Sequence, residues 1–108
     1  MTVADPRERI TVAERIAARL RDLVHREAPR GVRLAWSEQF RRLLDILGAD
    51  DEPDEILKYA ALAFDQLYSG GRNFADFVIQ RPDRRELVAE NERLAALAEE
   101  LKRLLHGS

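Results

Sequence analysis

Apolar residues recur at intervals of three and four positions through most of this chain, and that interval is the period of an α-helix. Segments centred near Leu20, Phe40, Phe64 and Leu94 each show it. We find no stretch of useful length in which apolar and polar residues alternate as they do in β-strands. The sequence therefore predicts an all-α fold, a small helical bundle.

Helix-breaking and helix-starting residues divide the chain into four main helices and one short one. Pro29, Gly48 and the pair Gly70-Gly71 are typical of helix ends, whereas Pro53 and Pro82 are typical of first turns. We predict helices over about residues 6–28, 34–47, 53–69, 74–79 and 82–105, within a single domain that spans residues 1–108. The last of these is the longest and carries a coiled-coil-like apolar stripe.

Capping signals refine three of these boundaries. The first helix has two candidate starts, because Asp5 and Thr11 are each followed by a glutamate three residues later. Gly48 stands where a left-handed residue would close the second helix. Asn73 is placed to cap the short helix that follows the double glycine.

Composition limits the classes of protein to which the chain can belong. It has 108 residues, of which 45% are hydrophobic and 35% charged, enough apolar content for one core. Because no run approaches the roughly 20 apolar residues of a membrane helix and the N-terminus lacks a signal-like block, we expect no membrane contact and a cytoplasmic protein. There is no cysteine, and the two histidines are far apart, so we predict no disulfide, metal or cofactor site. Sixteen arginines against two lysines are typical of a GC-rich bacterial genome.

The predicted C-terminal helix carries leucines at seven-residue intervals. If Leu87, Leu94 and Leu101 are d positions, Asn91 falls at an a position, where asparagine fixes the register of parallel two-stranded coiled coils. The stripe is wider than a two-stranded seam, so packing within the chain's own bundle is the alternative. The predicted interface comprises Leu87, Asn91, Leu94, Leu97, Leu101 and Leu104.

These features favour a non-catalytic interaction or regulatory protein, a homodimer that self-associates through its C-terminal helix and can also hold an unidentified protein partner. A second candidate surface lies beside the double glycine. Tyr68, Phe74 and Phe77 flank it, and an exposed aromatic patch there would mark a partner site rather than a cofactor site.

An enzyme is the competing interpretation. Arg19 precedes His25 by six residues, and the segment is formally similar to the R-x(4–6)-H motif of helical ribonucleases of the HEPN class. The resemblance covers two residues and implies metal-independent RNA cleavage by His25 with Arg19 or Arg21. Its early position in the chain and the abundance of arginine favour a surface histidine near a helix C-terminus instead.

Anion and nucleic-acid binding are two further alternatives. Residues 1–33 carry eight arginines and five acidic residues, so the first helix could bind nucleic acid weakly, although its interleaved acids favour a salt-bridged surface. Gly70-Gly71-Arg72 could hold an anion, but the segment follows a predicted helix and lacks a phosphate-loop pattern, which favours a simple turn.

Overall fold

The computed structural model describes residues 5–69 and 73–107. Four α-helices and one 3-10 turn form within these ranges, and no strand does. The predicted all-α fold is confirmed. The elements are α1 (Pro6–Glu27), α2 (Arg30–Leu47), α3 (Pro53–Gln66), the 3-10 turn (Phe74–Asp76) and α4 (Arg84–His106).

The four helices form a bundle around one hydrophobic cluster. α1 contacts each of the other three helices, α3 packs between α2 and α4, and α4 returns to α1. Burial of the apolar faces drives this arrangement. All buried residues among those described are hydrophobic, and none is polar or charged. The largest fully buried side chains are Leu20, Val24, Phe40, Leu43, Leu47, Phe64, Leu67, Ile79 and Leu101.

The first of the two candidate starts begins α1. The carboxylate of Asp5 accepts a hydrogen bond from the backbone N–H of Arg7 at 3.3 Å, and Pro6 occupies the first helical position. The other candidate, Thr11, lies inside the helix, where its hydroxyl donates to the carbonyl of Arg7 at 3.0 Å. A hydroxyl bonded to the preceding turn is compatible with a continuous helix.

α2 begins at Arg30, four residues earlier than predicted. Ala28 and Pro29 alone separate it from α1, and Gly31 lies in its first turn rather than in a loop. The guanidinium of Arg33 donates from Nε at 3.1 Å and from Nη2 at 2.7 Å to the carbonyl of Ala28. A side chain of α2 thus satisfies a carbonyl at the C-terminal end of α1. The chain therefore turns from α1 to α2 without a longer linker.

Two glycines close helices in different ways. Gly48 has a φ of −90°, so the predicted left-handed cap at this position is wrong, and its N–H bonds to the carbonyl of Leu44 at 2.9 Å. Gly107, which ends α4, has a φ of 75° and is left-handed. The last carbonyls of α2 are satisfied without the change of handedness that a left-handed cap provides.

The predicted short helix near residues 74–79 is present as a shorter 3-10 turn, Phe74–Asp76. After the 3-10 turn the chain continues as a non-helical segment, residues 77–81, which we call the strap. Asn73 caps the turn as predicted, because its Oδ1 accepts from the N–H of Ala75 at 2.9 Å. The N–H of Phe74 bonds back to the carbonyl of Leu67 at 2.6 Å, which folds the turn onto the end of α3. Gly70, Gly71 and Arg72 lie outside the described residues. Whether this segment is a simple turn or an anion site therefore stays a prediction.

Candidate functional site

The leucine stripe of α4 packs against its own chain. Leu94 and Leu101 are 6% and 0% exposed and belong to the core of the bundle. Leu97 and Leu104 are half-buried against that core. This is the intramolecular packing that the sequence left as an alternative. Self-association through the six predicted interface residues is not tested by one chain and stays a prediction.

Asn91 holds the strap. Its Oδ1 accepts from the N–H of Ile79 at 2.9 Å, and its Nδ2 donates to the carbonyl of Ile79 at 2.9 Å. The same Nδ2 also donates to the carbonyl of Leu87 at 2.8 Å. An amide can satisfy both polar groups of one residue in this way. The polar atoms of Asn91 are therefore engaged within the chain rather than presented to a second helix.

A second tie fixes the other end of the strap to α1. The guanidinium of Arg81 makes two hydrogen bonds to the carboxylate of Glu27, each 2.9 Å long. The hydrogen bond from Arg81, and then its charge, lower the pKa of Glu27, although burial opposes the shift. The same hydrogen bond raises the pKa of Arg81. The strap thus bridges α1 and α4 through one charged pair and one amide.

An open groove of about 960 Å³ lies between α4, the end of α3 and the 3-10 turn. We call it the α3–α4 groove. Apolar side chains dominate its lining, and two of them, Val78 and Val88, are 46% and 48% exposed. The other apolar lining residues are Phe64, Tyr68, Phe74, Ala75, Phe77, Leu87, Leu94, Ala95 and Ala98.

The aromatic floor of the groove is tied to the core. The ring of Phe74 meets Trp36 edge-on at 5.4 Å and Phe40 at 5.3 Å, measured between centroids. It also meets Tyr68 edge-on at 5.9 Å and packs on Phe77 at 5.5 Å. Edge-to-face pairs of this kind stabilise a fixed arrangement of rings. Phe74 and Phe77 are buried, so the predicted patch is the floor of a groove rather than a protruding surface.

Charged side chains in the groove lining are mainly acidic. Glu92 and Glu99 lie on α4, and Lys102 stands near its C-terminal end. Asp65 lies on the α3 side, where its Oδ1 is 2.9 Å from Nε2 of His106. Burial raises the pKa of the Tyr68 phenol, and the negative charge of Glu99 raises it further. The field of Glu99 therefore reaches the aromatic side of the groove.

The residues of the ribonuclease alternative lie on different sides of α1, and Arg19 lines a small cleft between α1 and α4. Arg19, Arg21 and His25 are all exposed. Arg21 and His25 are one turn apart on the same side, whereas Arg19 lies about 120° around the helix from His25. Arg21 also lies 3.6 Å from the carboxylate of Asp22. Of the two arginines, geometry favours Arg21 as a neighbour of His25, yet its spacing falls outside the motif.

The described residues contain neither a cluster of metal ligands nor a helix that could cross a membrane. Among them, no group of three or more histidine, aspartate or glutamate side chains could hold a metal ion. None of the described helices combines the length and the apolarity that crossing a bilayer requires. The chain matches none of the protein-family models, curated proteins or solved structures with which it was compared.

Proposed function

We propose that the protein is a non-catalytic interaction module that binds an apolar segment of a partner in the α3–α4 groove. The observation that carries the proposal is a groove of about 960 Å³ that is lined mainly by apolar side chains and remains open to solvent. Exposed apolar surface of this kind is disfavoured in water unless a partner covers it. Its size falls within the range of protein ligand pockets.

The chemistry of the lining supports binding rather than catalysis. Asn91, the one amide that lines the groove among the described residues, already bonds to Ile79 and Leu87. The carboxylates of Asp65, Glu92 and Glu99 belong to exposed residues. General acid–base catalysis depends on groups whose protonation is tuned toward the working pH. Burial does shift the pKa of the Tyr68 phenol in this lining, but upward and away from neutral pH. The lining instead resembles the apolar centre and polar edge of a protein interface.

Two adjacent alanines of α4 allow a matched test. Ala95 lines the groove, whereas Ala96 lies on the outer face of the same helix, and both are exposed. Peptides selected from a phage-displayed library on the wild-type protein should lose binding to Ala95→Glu and keep it on Ala96→Glu. Selection that yields no binders, or binders equally tolerant of both substitutions, would overturn the proposal.

Self-association is the second candidate, supported by the N-terminal end of the α4 stripe. Leu87 remains half-buried and Val88 is 48% exposed, whereas Leu94 and Leu101 further along are covered. A second copy could cover this end of the stripe. Light scattering of the wild-type protein should then give a dimer mass, and Val88→Glu should give a monomer. A monomeric wild-type protein at high concentration would exclude this candidate.

A further inference from the structure

We infer that the partner of the α3–α4 groove is a basic amphipathic helix. The inference rests on the proposed function and adds the chemistry of the partner. Three carboxylates, those of Asp65, Glu92 and Glu99, line the groove against the single ammonium group of Lys102. The carboxylate of Asp65 already lies 2.9 Å from Nε2 of His106, so the inference rests mainly on Glu92 and Glu99. A partner that carries positive charge beside its apolar residues complements this lining, and an acidic partner is repelled by it.

The walls of the groove favour a helical partner over an extended one. α3 and α4 satisfy their own backbone groups within each helix, so they offer no edge with which a strand could pair. In the strap, the non-helical wall, the N–H and carbonyl of Ile79 are bonded to Asn91, so this residue cannot pair with a strand. A helix that brings its own backbone bonds loses none on entering such a groove, as in other helix-in-groove complexes.

The length of the groove sets the length of the partner. Its lining residues on α4 run from Leu87 to Lys102, a rise of about 22 Å along the helix axis. A partner helix of about 15 residues spans that distance. Its apolar face would meet Val78, Val88 and Ala95 at the mouth of the groove.

The carboxylates stand on both sides of the apolar floor. Glu92 and Glu99 are seven residues apart on one flank of α4, about 10 Å along its axis. Asp65 stands across the groove on α3. Oδ1 of Asp65 is already 2.9 Å from Nε2 of His106. A partner with a seven-residue repeat of lysine or arginine on the edge of its apolar stripe that faces Glu92 and Glu99 therefore matches this arrangement best.

The chain's own basic helix does not provide this partner. α1 carries arginines, but its apolar residues, such as Ile16 and Leu20, are buried in its own bundle. A second copy could insert them only by unfolding. Helix α1 of a second folded copy is therefore excluded as the occupant of the groove.

Two synthetic helices of about 15 residues test the inference. Both carry the same leucine stripe, and one has lysine and the other glutamate along both edges of it. We expect the lysine helix to bind the full-length protein about tenfold more tightly at low salt, measured by calorimetry or fluorescence anisotropy. The difference should shrink in roughly 0.5 M NaCl, because salt screens exposed charges.

A charge-reversal variant makes the test specific to the groove. Glu92→Lys with Glu99→Lys should invert the preference between the two peptides. Glu100→Lys, on the same helix but outside the groove lining, should leave the preference unchanged. All three glutamates are exposed, so these substitutions leave the core intact.

The remaining outcomes separate the basic partner from the groove itself and from self-association. Equal binding of the two peptides, abolished by Ala95→Glu, would overturn the basic partner and leave the groove as a binding site. Tighter binding of the glutamate helix would also overturn the basic partner. Binding of neither peptide would count against both the inference and the proposed function. A dimeric wild-type protein whose groove is closed by its own copy would assign the surface to self-association instead.

Discussion

Asn91 pairs with Ile79 as one strand residue pairs with another. Its side-chain Oδ1 accepts from the N–H of Ile79, and its Nδ2 donates to the carbonyl of Ile79, at 2.9 Å each. Asn91 lies on α4, whereas Ile79 lies in the non-helical strap. Ile79 is fully buried, so these backbone groups have little access to water. The amide thereby fixes the strap that forms one wall of the α3–α4 groove.

Removing this amide should therefore destabilise the protein. Asn91→Ala leaves the N–H and the carbonyl of Ile79 without partners, which costs on the order of 1–3 kcal/mol for each buried group. Part of the loss will be recovered if water reaches the site. Urea denaturation of Asn91→Ala against wild type measures the effect. Glu92→Ala, the exposed neighbour, serves as the control, and equal stability of the two variants would contradict the role of Asn91.

Two glycines offer opposite outcomes for the same substitution. Gly107 has a φ of 75°, and an added Cβ would lie 3.1 Å from Nη2 of Arg9. That guanidinium donates to the carbonyl of Leu104 at 2.9 and 2.6 Å and satisfies the end of α4. Gly107→Ala should cost about 1–2 kcal/mol, the penalty for a left-handed alanine. Thermal denaturation measures the change.

Gly31 provides the contrast. It lies in the first turn of α2, and an added Cβ would meet no atom within 4 Å. Gly31→Ala should therefore stabilise the protein by roughly 0.5 kcal/mol, because alanine loses less backbone entropy in a helix. A destabilised Gly31→Ala together with a neutral Gly107→Ala would contradict the described backbone at both positions.

The sequence predicted the helices well, because the helical period of their apolar residues is strong. The sequence did not predict the contacts between distant elements. Asn91 matches a coiled-coil signature, and its real partner, Ile79, is twelve residues away in a segment predicted to be helical. Arg9 and Arg33, which satisfy the ends of α4 and α1, carry no distinguishing signal among sixteen arginines.

The strap left no alternating pattern in the sequence, because Phe77, Val78 and Ile79 are all apolar. In the structure, the residues from Phe77 to Gln80 alternate between buried and exposed, as in an extended chain. The sequence therefore favoured a helical interpretation in which Phe74, Phe77 and Val78 share an edge. The groove was predicted only in part, because Tyr68, Phe74 and Phe77 were recognised as a candidate surface and Val88 and Ala95 were not.

A substitution in the leucine stripe of α4 can show whether the stripe stabilises the single chain or a dimer. Leu101 is 0% exposed in one chain, so Leu101→Ala should lower the free energy of unfolding by about 2–5 kcal/mol. If the residue acts within one chain, this loss is independent of protein concentration. Urea denaturation at several concentrations tests the point. A loss that shrinks as the protein is diluted would instead support the predicted homodimer, because dimerisation stabilises the wild-type chain less at low concentration.

The pair formed by Glu27 and Arg81 should make stability depend on acid pH. Because the pKa of Glu27 is lowered in the folded protein, its contribution is present above the ordinary glutamate pKa of about 4.3 and is lost as pH falls through the lower, folded value. Glu27→Gln should lose stability at neutral pH and approach wild type in acid. Glu38→Gln is the control, since Glu38 makes an exposed 3.4 Å pair with Arg41. A difference between Glu27→Gln and wild type that is the same at every pH would contradict the lowered pKa.

Tyr68 reports on the electrostatics of the groove. Burial is the larger cause of its raised pKa and Glu99 the smaller, so Glu99→Gln should lower the pKa in part and leave it above the ordinary tyrosine value. Ultraviolet titration in a Tyr59→Phe background isolates the signal, because the chain has two tyrosines. Glu100→Gln is the matched control. Since the folded pKa is raised, the stability that neutral Tyr68 contributes is present below the ordinary value of about 10 and is lost as pH rises through the folded value. A Tyr68 pKa that does not respond to Glu99→Gln would remove one support for the acidic lining from which we infer a basic partner.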